Sequence, residues 1–502
     1  MGRFKLFVAV ATAALIAVPA GAFPEASAAP ACAGSHTGGD WPSLNHDLSN
    51  TRHQDAEKKI GPSEAGALAP AWSFSIADAG VAQGSLQSTP VISDGCVYVA
   101  VTTGWIFALN ADTGKLVWKQ HLKGASLLAL AVKYGNVYAF PYADKKGPRA
   151  IALDQKTGRV VWETPRLVPH ETASSSMGQQ PNLSPVLFDG MVFFSGSYAY
   201  GPVRVPLYFL DAHTGRVIKR FSMLTEKERK KGFGCCAMWA TPAIDLKHKI
   251  MYAATADSES FTKQYRYNQA IVKIDADRRS PTFGKVLGAY KGVGERYIDD
   301  RSPYNFDDSP LCTTFGGPDD PAGGSSTSSS NSCAELDLDF GASPTLFTTD
   351  DGTQMVADLQ KAGVYHAVKT KTMKGAWTRT LAPPSSLGNA GTGAWDGDSL
   401  FVAPNGGNGY AFDIAGIPMW AIHNLDDAAR YQPLTVANGV LYTVTNAGTL
   451  LGLDSATGVP VLARAIAEDV GADACVTLGT GVAVARNTVY TQCELGWVVA
   501  YR

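Results

Sequence analysis

Three short stretches of this 502-residue chain carry residue types that can do chemistry. The first is the adjacent pair Cys235-Cys236, closely followed by Trp239. Neighbouring thiols can bridge only through a tight ring with a distorted peptide, and strain of that kind is tolerated more often at functional positions. Free or separately paired thiols are the other reading, because connectivity cannot be taken from sequence. The second is Asp337-Leu-Asp339-Phe-Gly-Ala-Ser-Pro344, whose two carboxylates alternate and so share one side of an extended chain. Such a pair can simply bond backbone at a sheet edge. The third is Gln360-Lys361-Ala-Gly-Val-Tyr-His366, where the lysine is a solvated turn residue unless it faces inward. The acidic residues Asp299, Asp300, Asp307 and Asp308 lack the ligand spacing of a calcium loop. The nine histidines show no zinc spacing, and there is no serine-hydrolase elbow.

A repeated unit must position these residues. The phrase Ala-Leu-Asn-Ala-Asp-Thr-Gly-Lys-Leu-Val-Trp at 108–118 returns at 152–162, in part at 209–215 and 452–458, and more loosely near Trp377 and Trp420. Glycine suits each turn because it accepts positive φ without steric cost. Before each copy stands a small-residue-Pro step and a hairpin signal, clearest in Ser-Thr-Pro-Val-Ile-Ser-Asp-Gly at 88–95. Each unit supplies about four short strands, the pattern of a propeller blade. Blades starting near Ser88, Leu128, Leu183, Trp239, Gly341, Gly391 and Gln432 are complete. The hairpin at 481–502 needs the strand near Trp72 to finish a further one. The expected fold is therefore all-β, an eight-bladed propeller closed by pairing of N- and C-terminal strands, with seven blades as the alternative.

The remaining features bound the setting. An apolar run at 6–18 behind Arg3 and Lys5 reads as an export leader, which gives 1–28 as signal peptide and 29–502 as one domain. The mature chain is expected to be secreted or extracytoplasmic, and Pro30 disfavours Cys32 as a lipid anchor. Eight cysteines in an exported chain favour oxidation, and spacing suggests Cys32 with Cys96, Cys312 with Cys333 and Cys475 with Cys493. With 43 Lys and Arg against 45 Asp and Glu, the net charge of −2 gives no footing for nucleic acid. The mixed-charge run at 227–231 reads as a short exposed helix, capped by Thr225 with Glu228 at the capping-box position and stopped by Gly232. Insertions are expected at 165–182 and 278–340, with a mobile low-complexity segment at about 312–333.

The Trp41-Pro42 opening with Asp47 and Arg52, the Thr-Gly-to-Trp repeats, the stretch around Trp239 and the pair Asp-x-Asp-Phe-Gly with Gln-Lys-x-Gly resemble the pyrroloquinoline quinone (PQQ) dehydrogenases, within them the polyvinyl-alcohol-dehydrogenase-like branch. The resemblance covers most of the chain. It implies PQQ on the propeller axis, stacked on Trp239, beside a vicinal disulfide at Cys235 and Cys236, with Lys361 at the quinone oxygens and Asp337 and Asp339 nearby. It also implies Ca²⁺, with Asp257 where the family has an asparagine ligand, but its calcium-binding glutamate should fall at 195–201, where there is no carboxylate. The proton-abstracting aspartate is expected between Ser258 and Ala270, where Glu259 is the one carboxylate. The implied partners are a small alcohol or polymeric polyol and an electron acceptor. The competing expectation is a propeller that has lost the cofactor and serves as a binding or scaffold module for a protein or cell-surface partner.

Overall fold

The computed structural model describes residues 32, 37–82, 84–142, 146–168, 183–195, 204–256, 263–293, 338–385, 388–423, 425, 432–477 and 479–502. The leader, the acidic residues at 299–308, the 312–333 segment with its two cysteines, Asp257, Glu259 and Asp337 lie outside the described residues.

Eight antiparallel sheets, each containing the four strands of a blade, make an eight-bladed propeller. Blades 1 to 7 begin with the inner strands Val91–Ser93, Leu130–Lys133, Val186–Phe188, Ala243–Asp245, Thr345–Thr348, Ala394–Trp395 and Thr435–Ala437. Blade 8 takes Ala483–Ala485, Thr488–Cys493 and Trp497–Tyr501 from the C-terminus and Pro70–Ser75 from the N-terminus, so the ring closes as the repeat count required. The helix Glu226–Arg229 has the expected Thr225 cap and capping box. Cys32–Cys96 and Cys475–Cys493 are bridged. The stretch from Arg278 does not all belong to an insertion: Val286–Lys291 is the outer strand of blade 4.

The repeated Trp and Thr-Gly turn form a lock between neighbouring blades. The indole N–H of Trp72, Trp118, Trp162, Trp377 and Trp420 donates to the carbonyl of Ala111, Gln155, Ala212, Ile414 and Ser455 respectively, each in the next blade's turn. The turn glycine lies against the ring: a Cβ on Gly215, where φ is +70°, would come within 2.6 Å of Trp162. Gly190 has nearly the same φ, +71°, but no atom within 4 Å of that position. Gly190→Ala is expected to cost about 1–2 kcal/mol for the left-handed backbone alone. Gly215→Ala should cost a further 1–3 kcal/mol, roughly, because the ring must move. Thermal denaturation of the two variants checks that order.

The Ser/Thr-Pro steps form a second connection on the inside of the ring. The amide of Ser184 donates to the Thr241 hydroxyl oxygen, that of Thr241 to Ser343, and that of Ser343 to Thr392. Proline following each of the first three donors brings no amide of its own that would have to be satisfied there.

Residues 40–54, irregular by sequence, run around the inner strands. Trp41 bridges Ile92, and the carbonyls of Pro42, Leu48, Ser49, Thr51 and Arg52 accept from Val132, Ile244, Leu346, Trp395 and Val436. Between Ser43 and Leu48 the segment departs from blade 3, leaving a cavity of about 690 Å³ beside Val186 and Leu187. None of Trp239, Asp339 and Lys361 lines that cavity.

Candidate functional site

The strongest grouping of reactive side chains lies where the chain enters blades 4 and 5. Trp239 stands just before the inner strand of blade 4 and is 4% exposed. Its indole N–H donates to Asp339 Oδ2 at 3.1 Å. Lys361 Nζ lies 3.6 Å from the same oxygen and 5.0 Å from the centre of the Trp239 ring. Each side chain of the ion pair is 7% exposed. Lys361 is therefore turned inward, not solvated, and a buried ammonium is placed only where an opposite charge meets it.

Local structure explains the convergence. Phe340 pairs with Gln360 in an isolated antiparallel bridge, and the Lys361 amide donates to the Asp339 carbonyl at 2.9 Å. The entry segment of blade 5 thus runs alongside the turn that closes its second strand. Gly341 has no room for a side chain, since a Cβ there would come within 2.2 Å of the Trp239 ring. Asn389 supports the turn by donating to the carbonyls of Lys361 and Pro383.

Cys235 and Cys236 are bridged to each other, with a cis peptide between them. They share one buried apolar cluster with Trp239 and Ala390. Of the seven residues singled out by sequence, Trp239, Asp339 and Lys361 meet directly, and Cys235 and Cys236 pack in the same region. Asp257 and Asp337 are not among the described residues. Asp339 is the carboxylate that the described residues bring to the platform; the resemblance places the proton-abstracting aspartate at 258–270, of which 258–262 lie outside the described residues.

Beneath the ion pair lies a neutral cluster that sequence reasoning missed. His366 is fully buried, and burial pushes its pKa down to about 3. Its Nδ1 accepts from the Tyr290 hydroxyl at 3.0 Å, and its Nε2 donates to Gln360 Oε1 at 3.0 Å. In the unfolded chain a histidine takes a proton below about pH 6.5. Between that value and about 3 the unfolded state binds the proton and the folded state does not, so stability falls as pH is lowered through this window. His366→Phe should show a shallower loss of denaturation midpoint between pH 6.5 and 5.

Comparison with known proteins places this geometry. A family model of PQQ repeats (PQQ_2), described as outer membrane protein assembly factor BamB, matches residues 64–276. The chain is 26% identical to polyvinylalcohol dehydrogenase of Sphingopyxis sp. (strain 113P3), over 93% of this chain and 74% of that protein. It is also 26% identical to polyvinylalcohol dehydrogenase of a Pseudomonas species, over 64% of this chain but 49% of that one. It thus spans about three quarters of the first relative and half of the second. Its fold matches the crystal structure of quinohemoprotein alcohol dehydrogenase from Comamonas testosteroni with a TM-score of 0.68 at 15% identity, covering 93% of this chain and 81% of that one. The architecture is the eight-bladed β-propeller that this quinohemoprotein alcohol dehydrogenase shares. In sequence, the chain is similar along most of its length to the polyvinylalcohol dehydrogenases.

Proposed function

We propose that this protein oxidises an alcohol or polyol at the Trp239, Asp339 and Lys361 site, with PQQ as its cofactor. The observation that carries the reading is the meeting of an indole face, a buried carboxylate and a buried ammonium within one contact shell. The residues fit such a group: an indole face suits a planar ring system, and an ammonium suits carbonyl oxygens that gather negative charge. When bound, PQQ supplies a two-electron acceptor for the carbon being oxidised. Trp239 would form the floor, Lys361 would hold the oxygen-bearing edge, and the Cys235–Cys236 bridge would pack beside them.

Asp339 is the group we assign to proton removal. Its carboxylate takes the hydroxyl proton of the alcohol as the carbon loses a hydride equivalent, leaving an aldehyde or ketone. The Trp239 N–H fixes the carboxylate's orientation, and Lys361 balances its charge in a dry setting. Ca²⁺ enters this reading only through Asp257 and is assigned no step. A small alcohol or a polymeric polyol is the proposed substrate class, and an external carrier must take the electrons. The bridged cysteines favour an extracytoplasmic setting. Among the described residues, no helix is long and apolar enough to cross a membrane.

Titrating the protein with PQQ, with and without Ca²⁺, should quench tryptophan fluorescence saturably and raise the melting temperature, since a ligand bound by the folded state alone stabilises it. Trp239→Ala should weaken binding at least tenfold. The match of 64–276 to a family described by an assembly factor favours a second reading, a cofactor-free binding or scaffold module. No quenching and no thermal shift at millimolar PQQ would leave that one standing.

A further inference from the structure

We propose that Gln360 is a positioning residue that sets Asp339 and Lys361 against each other, backed by an uncharged relay through His366 and Tyr290. The inference rests on the reading of Asp339 and Lys361 as the reactive pair.

The Gln360 side chain is completely buried and makes four hydrogen bonds. Its Oε1 accepts from the Val293 amide and from His366 Nε2, each at 3.0 Å. Its Nε2 donates to the carbonyls of Val293 at 3.0 Å and Leu338 at 2.8 Å. The amide can therefore face only one way, because its donors meet two carbonyls and its acceptor meets a backbone N–H. That orientation forces His366 to donate from Nε2 and leaves Nδ1 to accept from Tyr290.

Two sequence adjacencies turn this clamp into a positioning device. Leu338, held by the amide, directly precedes Asp339, and Gln360 directly precedes Lys361. The Asp339 carbonyl accepts from the Lys361 amide one step along, and the Phe340 ring lies 5.2 Å from His366. The acid and the ammonium are thereby fixed from one buried carboxamide, in addition to the backbone ladder of blade 5 in which Gln360 takes part. Its neutrality matters as well: a second carboxylate this close would hinder ionisation of Asp339, whereas an amide does not compete for the proton.

The test compares wild type, Gln360→Met, His366→Leu and Trp162→Phe, the last a remote destabilised control in the lock between blades 2 and 3. PQQ affinity, kcat and KM on a soluble alcohol, and the ¹⁵N indole resonance of Trp239 are measured for each. Gln360→Met should lower kcat about 10–100-fold, the scale of a reactive group displaced by an ångström or less. PQQ affinity and KM should stay within about threefold, by the same argument that only orientation is lost. The Trp239 resonance should shift because its partner carboxylate moves, and it should not shift in Trp162→Phe. His366→Leu removes one of the two donors to Oε1 and should give a smaller change in the same direction, which serves if Gln360→Met does not fold.

A folded Gln360→Met with an unmoved Trp239 resonance and kcat within twofold of wild type would overturn the proposal while leaving the proposed function intact. If wild type binds no PQQ and oxidises no alcohol, the proposed function fails. The Trp239 resonance then decides alone whether Gln360 positions Asp339.

Discussion

Asp339→Asn is expected to remove nearly all alcohol oxidation while leaving the fold and PQQ binding in place. The amide keeps the size of the carboxylate and an oxygen for the Trp239 N–H, so the 3.1 Å contact can survive. What it loses is the ability to take a proton. General-base catalysis contributes about 10²–10⁴-fold in rate, and the loss should fall in kcat and in kcat/KM together because the interaction is realised as the proton moves. Lys361 then keeps its charge beside a neutral amide in place of the Asp339 carboxylate. That should cost about 3–5 kcal/mol, the scale for a buried ion pair that loses one charge. The informative measurement is turnover with an artificial acceptor alongside PQQ-dependent fluorescence quenching. Quenching retained with turnover down at least a hundredfold assigns the proton step to Asp339. Turnover within threefold of wild type would remove it from that role and return attention to residues 258–270.

Much of the ring was legible because its signals are local. A Thr-Gly turn and a Trp some residues later are short-range marks, and the locks at Trp118, Trp162 and Trp420 use them directly. Blade 4 was obscured where those letters change. Its outer strand carries Tyr290 at the edge of blade 5, and Phe221 packs against Gly284 where other blades use tryptophan, so 278–291 read as insertion. The site was legible as a set of residues and less so as an arrangement. Trp239, Asp339 and Lys361 belong to different turns of the chain, and only closure of blade 5 against blade 4 brings them together. The family resemblance placed the proton-abstracting aspartate at 258–270, and periodicity carries no information on which turn faces the axis. Gln360 and His366 stood in a stretch picked out for Lys361, but nothing in it marked their partners Val293 and Tyr290, which lie across a blade boundary. Segment 40–54 was also unreadable in detail, since its hydrogen bonds go to many inner strands and follow no repeat.

That segment carries a large expected effect on stability, at Arg52. Its guanidinium is wholly buried and meets the carbonyls of Leu434, Leu44 and Val482, the hydroxyls of Thr435 and Thr89, and the Asn45 side chain. These groups belong to the segment itself and to the entries of blades 1, 7 and 8, where the ring closes. Among the described residues no carboxylate is a hydrogen-bond partner of Arg52, and burial pulls its pKa down to about 9, which still leaves a cation at neutral pH. The charge is carried by carbonyl dipoles and by the Trp41 ring, 5.4 Å away. Arg52→Met would fill most of the volume but strip a donor from three carbonyls, of which Leu44 keeps the Trp41 indole and Val482 the Thr435 hydroxyl, leaving Leu434 facing an apolar chain. At about 1–3 kcal/mol for the Leu434 carbonyl, with smaller losses at the two that keep a donor and at the hydroxyls, the loss should reach roughly 2–4 kcal/mol. Arg52→Lys should recover only part of it, because one ammonium cannot reach three blades with the geometry of a planar fork. The closure strand Pro70–Ser75 is held to Trp497–Tyr501 by its own ladder, so loss of Arg52 should loosen blades 7, 8 and 1 before the locks elsewhere fail. Hydrogen exchange would show protection falling first in those three blades, and uniform loss around the ring would argue against Arg52 as the tie at the closure.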